Sequence, residues 1–307
     1  MRAAGLALIV GCAFLSASLA LGAGAPKGHW PETLEAFQGD VVEVKVSGDD
    51  LAQVEGNLGK EKIYFYPSGN NFFSALIGID VEAKPSVAKL GVKVKSVGGA
   101  QRQTEIHLKI KAKSFHKESF NVPPSFDHMS PETLAEIRRE QEAFARAFAT
   151  TATERFWDIP FIRPVPQDAS ASSFGSRRII NGVARAPHTG TDLSAPAGTE
   201  VIATNHGRVV LVGNFFFAGG SVVVDHGGGL FSMYFHLSEL KVEEGAPVRK
   251  GDVLALSGGT GRVTGPHLHW GVRLNNTRVD PLDLLRKFSG PSENSPPINK
   301  AESKSEE

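Results

Sequence analysis

A chain of 307 residues, 41% hydrophobic and 21% charged, is long enough for two folded domains and too apolar to remain disordered. Its 33 basic and 33 acidic residues cancel, which argues against generic nucleic-acid binding through a basic surface. The only cysteine is Cys12, inside the first apolar stretch, so the rest of the chain has no disulfide, thiolate ligand or thiol nucleophile.

Met1-Arg2 carries a positive charge and precedes a small, apolar run from Ala3 to Leu21. Ser18-Leu-Ala20 and Ala23-Gly-Ala25 offer small-residue cleavage sites, so residues 1–25 read as a secretory signal peptide. The product is then exported, to the periplasm or cell envelope or into the medium. The competing reading is a membrane tether through an uncleaved N-terminus, because a span takes about 20 apolar residues.

Residues 26–122 read as a β domain. Apolar residues alternate with polar ones at Val42, Val44 and Val46, at Leu90, Val92 and Val94, and at Ile106, Leu108 and Ile110. That period marks half-buried antiparallel strands. Ile63-Tyr-Phe-Tyr66 and Ala75-Leu-Ile-Gly-Ile79 are core-strand candidates, and Pro67–Asn71 and Val97–Ala100 carry turn residues. An Ig-like β-sandwich accounts best for this pattern. His29, His107 and His116 are scattered here without ligand spacing.

Residues 123–160 form a linker, opening on Pro123-Pro124. Ser130-Pro131-Glu132 has the N-cap, first-turn proline and early acid of a helix start. Leu134, Ile137, Gln141, Phe144 and Phe148 follow at three- and four-residue steps, the stripe of an amphipathic helix packed on one domain or between two. Residues 161–288 then read as a nearly all-β domain. Its strands centre on 201–203, 207–212, 221–225, 231–235, 252–256 and 268–272, and helical pattern returns only at Pro281–Leu285. His206 and His226, in Asn-His-Gly and Asp-His-Gly, read as turn positions. Residues 289–307 are rich in Ser, Pro, Glu, Lys and Asn and read as a disordered tail.

The chemistry concentrates in two short pieces, His188-Thr-Gly-Thr-Asp192 and His267-Leu-His269. Gly and β-branched Thr disfavour a helix in the first. In extended chain, residues i, i+2 and i+4 share a face, so His188 and Asp192 point the same way with only Gly190 between them. The same parity aligns His267 with His269. Two imidazoles and a carboxylate are the donor set of a catalytic zinc that keeps a fourth position open. Gly258–Gly265 precedes a strand instead of a helix and so lacks the setting of a phosphate loop. No Gly-x-Ser-x-Gly elbow is present.

These pieces lie within an ordered series: Phe174-Gly-Ser-Arg177, His188 and Asp192, Pro196–Val201, Tyr234-Phe-His236, Val248–Gly251, Gly258-Gly-Thr-Gly261 and Gly265-Pro-His-Leu-His269. With that series, residues 174–285 resemble the M23 family of zinc metallopeptidases, the lysostaphin/LytM-type peptidoglycan endopeptidases. The resemblance implies one Zn2+ per chain, held by His188, Asp192 and His269, with His236 and His267 as the proton-transfer pair. It does not separate acceptor from donor within that pair. Arg177, in the family's F-G-x-R pattern, is either a substrate contact or a structural ion-pair partner. The implied partners are peptidoglycan stem peptides and cross-bridges, and glycine bridges and diaminopimelate-type links both remain open. The alternative is a non-catalytic LytM-type wall-binding protein that activates an amidase. Such proteins lack some ligands, whereas all five His and Asp positions are kept here. Oligomeric state is not encoded in any of these motifs.

Overall fold

The computed structural model describes residues 26–121, 129–149, 151–166, 171–172 and 174–288. The leader, Pro123-Pro124 and the tail lie outside the described residues.

Eight strands form the first domain: β1 (Thr33–Phe37), β2 (Val41–Ser47), β3 (Leu51–Leu58), β4 (Glu61–Tyr64), β5 (Tyr66–Gly69), β6 (Phe72–Gly78), β7 (Ser86–Ser96) and β8 (Gln101–Lys111). They make two sheets, ordered β1-β8-β7-β3-β4 and β2-β6-β5. Val44, Val46 and Ile77 of one sheet share a core with Leu90, Val94 and Ile106 of the other. Placing strands two, six and five opposite three, seven and eight reproduces the B-E-D and C-F-G groupings of an immunoglobulin sandwich. Its first strand has moved beside the last, where it runs parallel to it. The stretch Ile63–Tyr66, expected as one strand, breaks at Phe65: β4 pairs in the larger sheet and β5 in the smaller.

Beyond it come β9 (Lys117–Phe120), α1 (Pro131–Ala149), β10 (Ala171–Ser172), β11 (Arg177–Ile180), β12 (Val183–Ala184), β13 (Gly190–Leu193) and β14 (Glu200–Ile202). They are followed by β15 (Gly207–Phe215), β16 (Gly219–Gly227), β17 (Leu230–Leu240), β18 (Pro247–Val248), β19 (Val253–Ser257), β20 (Leu268–Leu274), β21 (Thr277–Val279) and α2 (Pro281–Phe288). The spine of this domain is a sheet ordered β10-β13-β20-β17-β16-β15-β18. Ser130 caps α1, its Oγ accepting from Thr133 N at 3.2 Å. The second half of the apolar stripe packs on the C-terminal sheet, with Phe144 4.8 Å from the ring of Phe215 and Phe148 5.3 Å from Phe231. Leu134, at its start, stays exposed.

The two domains are welded along one side. Val41 and Leu76 leave the sandwich core and join the C-terminal one beside Leu274, Val279 and Leu284. Asp283, 2% exposed, accepts from Val41 N at 2.8 Å, and Lys287 Nζ donates to Val41 O at 2.7 Å. The Arg278 guanidinium forks onto Asp80 at 2.9 and 2.6 Å. β9, which directly follows the sandwich, pairs parallel with β11. Asp283→Ala leaves the Val41 amide without its buried partner. It should cost about 1–3 kcal/mol, read as a lower urea midpoint in a single transition for both domains.

His226, expected at a turn, instead lies inside β16 and is 1% exposed. Its Nδ1–H donates to His206 O at 2.7 Å, and Nε2 meets Ser232 Oγ at 2.7 Å. Burial lowers its pKa to about 4. The unfolded chain, with His near 6.5, therefore binds a proton that the folded chain refuses across this window. Stability should fall as pH drops from about 6.5 to about 4, and His226→Asn should make that fall shallower in urea titrations at stepped pH.

Candidate metal and proton-transfer site

Three donor atoms converge because two strands pair in one register. β13 and β20 run antiparallel with Asp192 directly opposite His269, and His188 lies four residues before Asp192. His188 Nε2 is 2.9 Å from His269 Nδ1 and 3.2 Å from Asp192 Oδ1, and His269 Nδ1 is 3.0 Å from Asp192 Oδ1. Ligand bonds of about 2.0–2.2 Å at tetrahedral angles require donor separations of about 3.3 Å. The triangle therefore matches one face of a zinc coordination tetrahedron, and these three residues form a compact group able to hold an ion. Burial pushes the Asp192 carboxyl upward, but hydrogen bonds with His188 and His269 outweigh it and hold the pKa well below the carboxylate range. Burial lowers the His269 pKa, against the raising effect of Asp192, and so favours the neutral form that ligates a metal. Gly190, between His188 and Asp192, does not border the ion position itself. Instead it clears space for a ligand, since a Cβ there would collide with His269 Nε2.

His236 and His267 stand beside this triangle, their ring centroids 4.9 Å apart. His267 Nε2 lies 3.7 Å from Asp192 Oδ1. Each ring is oriented by a carbonyl: His236 Nδ1–H donates to Thr260 O at 3.0 Å, and His267 Nδ1–H to Gly265 O at 2.9 Å. In the neutral form Nε2 is thus the proton acceptor of both rings. Burial lowers the His236 pKa to about 4, with the Thr260 bond opposing. His236 reaches the site by breaking strand alternation. Adjacent residues of a strand point to opposite faces, yet Phe235 and His236 both line the cleft. A register shift opposite residues 220–222 inserts an extra residue in β17, and His236 takes φ +66°, a left-handed conformation rare outside glycine.

These side chains line a cleft of about 490 Å³, to which Arg178, Phe217 and Arg262 also contribute. A depression of about 630 Å³ on the outer sandwich face is larger, but its lining, with Glu55, Lys62, Lys93 and Glu105, includes no imidazole. Arg177 does not line the cleft: its Nη1 lies 3.8 Å from Glu82 Oε1 of the sandwich, and its successor Arg178 takes the cleft position. Phe235 escaped the sequence reading although it adjoins His236. It lies opposite His269 across β17 and β20, and its ring stacks on the imidazole at 5.4 Å and 5°.

The match to peptidase family M23 spans residues 186–281, which include the five His and Asp positions and exclude Arg177. Among solved structures, a putative peptidase M23 from Pseudomonas aeruginosa is 30% identical. It covers 81% of this chain and 94% of its own, with a TM-score of 0.62. The chain belongs to peptidase family M23. A Vibrio cholerae M23 relative, the peptidoglycan DD-endopeptidase ShyA, is 39% identical over 130 residues, 42% of this chain and 28% of that protein. The DD-carboxypeptidase/endopeptidase Mpg of Neisseria meningitidis is 41% identical over 97 residues, 32% of this chain and 22% of that protein. This M23 chain thus matches only about a quarter of the length of these curated relatives.

Gly190→Ala should displace the His269 imidazole and weaken metal binding at least tenfold, while far-UV dichroism stays unchanged. Titration with a competing chelator checks this.

Proposed function

We propose that this protein is a zinc-dependent endopeptidase that hydrolyses peptide cross-links of bacterial peptidoglycan. The observation that carries this reading is the triangle of His188 Nε2, Asp192 Oδ1 and His269 Nδ1, with edges of 2.9–3.2 Å, beside two further imidazoles. The named relatives, a DD-endopeptidase and a DD-carboxypeptidase/endopeptidase, favour links between D-configured residues. The apolar leader, outside the described residues, favours an exported enzyme working in the periplasm or envelope.

His188, Asp192 and His269 would hold the ion. When bound, zinc polarises an amide carbonyl and makes water a stronger acid near neutral pH. The protein must then move protons. His236 and His267, each fixed through Nδ1, present Nε2 as the base for the attacking water. The ring that takes the proton becomes an N–H donor to the carbonyl oxygen or the departing amine. Anchoring by Thr260 O and Gly265 O keeps both rings in place as protonation changes.

Purified protein should release peptide-linked fragments from isolated sacculi, and a chelator should abolish the release. His188→Ala, Asp192→Ala and His269→Ala should each lose the metal by elemental analysis. His236→Ala and His267→Ala should keep it while turnover drops about a hundredfold or more. Protein that binds metal and sacculi but releases nothing would instead point to a wall-binding amidase activator.

A further inference from the structure

We propose that α1 is a working part of the catalytic site: Phe144 positions His269 through Phe235, and Glu140 positions the cleft wall through the backbone at Phe216. The inference rests on the reading of His188, Asp192 and His269 as a zinc site.

Two chains of contact leave one turn of the helix. Residues four apart lie above one another on a helix face, so Glu140 and Phe144 address the same surface. The Phe144 ring meets Phe235 edge-on, with centroids 5.7 Å apart and planes at 81°. Phe235 in turn lies flat against His269 at 5.4 Å. Gly190 borders the Nε2 edge of the same imidazole. Nδ1, the atom aimed at Asp192 and His188, is thus set by a backbone on one side and an aromatic relay on the other. The second chain runs through hydrogen bonds. Glu140 Oε1 accepts from Phe216 N at 2.7 Å. The next two residues, Phe217 and Ala218, line the cleft, and Ala218 O accepts from His236 N at 2.8 Å. One turn of α1 therefore touches a metal ligand through rings and a proton-transfer residue through the main chain.

The helix also supplies its own control. Phe148 packs edge-on against Phe231, at 5.3 Å and 77°, within the same apolar cluster. Phe231 pairs with Arg273, away from the ligands. Phe148 also touches the Phe144 ring, at 6.2 Å, but Phe144 keeps its own contacts with Phe215 and Phe235, so loss of the Phe148 ring should cost packing while leaving His269 in place.

The test compares full-length Phe144→Ala, Phe144→Leu, Phe148→Ala, Glu140→Ala and Glu140→Gln with wild type. The readouts are zinc affinity by competition with a chromogenic chelator, urea midpoints in chelator, and kcat and KM on cross-linked muropeptides. Phe144→Ala and Phe148→Ala should lower the midpoint similarly, but only Phe144→Ala should weaken zinc binding, by about tenfold or more. Phe144→Leu, which refills the volume without a ring edge, should weaken zinc binding in a well-folded protein. Glu140→Ala should raise KM about two- to tenfold at unchanged zinc affinity, and Glu140→Gln, which keeps the acceptor oxygen, should restore it. Equal zinc affinity in the Phe144 and Phe148 variants, or an unmoved KM in Glu140→Ala, would overturn the role of the helix while leaving the zinc reading intact. Wild-type protein that takes up no zinc would overturn the zinc reading first and this one with it.

Discussion

The register between β13 and β20 is the constraint on which the site depends. It sets Asp192 against His269 and places Gly190 where the imidazole needs room. A slip of one residue would turn every side chain of one strand to the other face. The register is held from both directions. β17 pairs with the far side of β20, and the interior residues Leu193, Leu268 and Trp270 are fully buried. Five adjustable side chains would lose much conformational entropy if each had to be ordered separately. Here the sheet orders the backbone, and the remaining freedom is removed by rings and carbonyls.

The electrostatics follow from that geometry. Asp192, its pKa held low, sits against His269, whose own pKa burial lowers, and one carboxylate among imidazole donors suits a divalent cation. His236 is neutral for the same reason, and its Nδ1–H bond to Thr260 assigns the tautomer. The second layer of carbonyls and aromatic rings thus performs the orienting task that carboxylates perform around many metal-bound histidines.

Much of this was legible in the residues, and the gaps have physical causes. Parity in two short extended pieces pointed to His188 and Asp192 on one face and to His267 and His269 together on another, and the family resemblance, not period, singled out His269 from that pair; the three groups do converge. The alternating strands at 42–46, 90–94 and 106–110 and the start of α1 at Ser130 were readable because period and capping are local. His236 was not readable from period, since strict alternation would turn it away from Phe235's face; a bulge and a left-handed residue bring it round. Residue identity in the family pattern supplied what periodicity could not. β3 went unmarked because it fully buries only Val54 and Gly56, with Leu51 and Leu58 half-buried at its ends and exposed residues between. The pairing of β9 with β11 joins segments about sixty residues apart and leaves no local trace. Arg177 and Arg178 differ only in strand parity, and that parity places the second of them in the cleft.

The shared core between the sandwich and the peptidase sheet has a consequence for how such proteins diversify. Val41 and Leu76 are interior residues of a unit that lies far later in the chain, and Asp80 and Arg278 bind the same seam. A sandwich joined in this way is not a cassette. Exchange of it for an unrelated module would strip an apolar strip from α2 and β21 and leave Asp283 facing solvent it is not built to meet. Recombination at the linker is therefore penalised, and the two halves are expected to drift together, with substitutions on either side of the seam compensating one another.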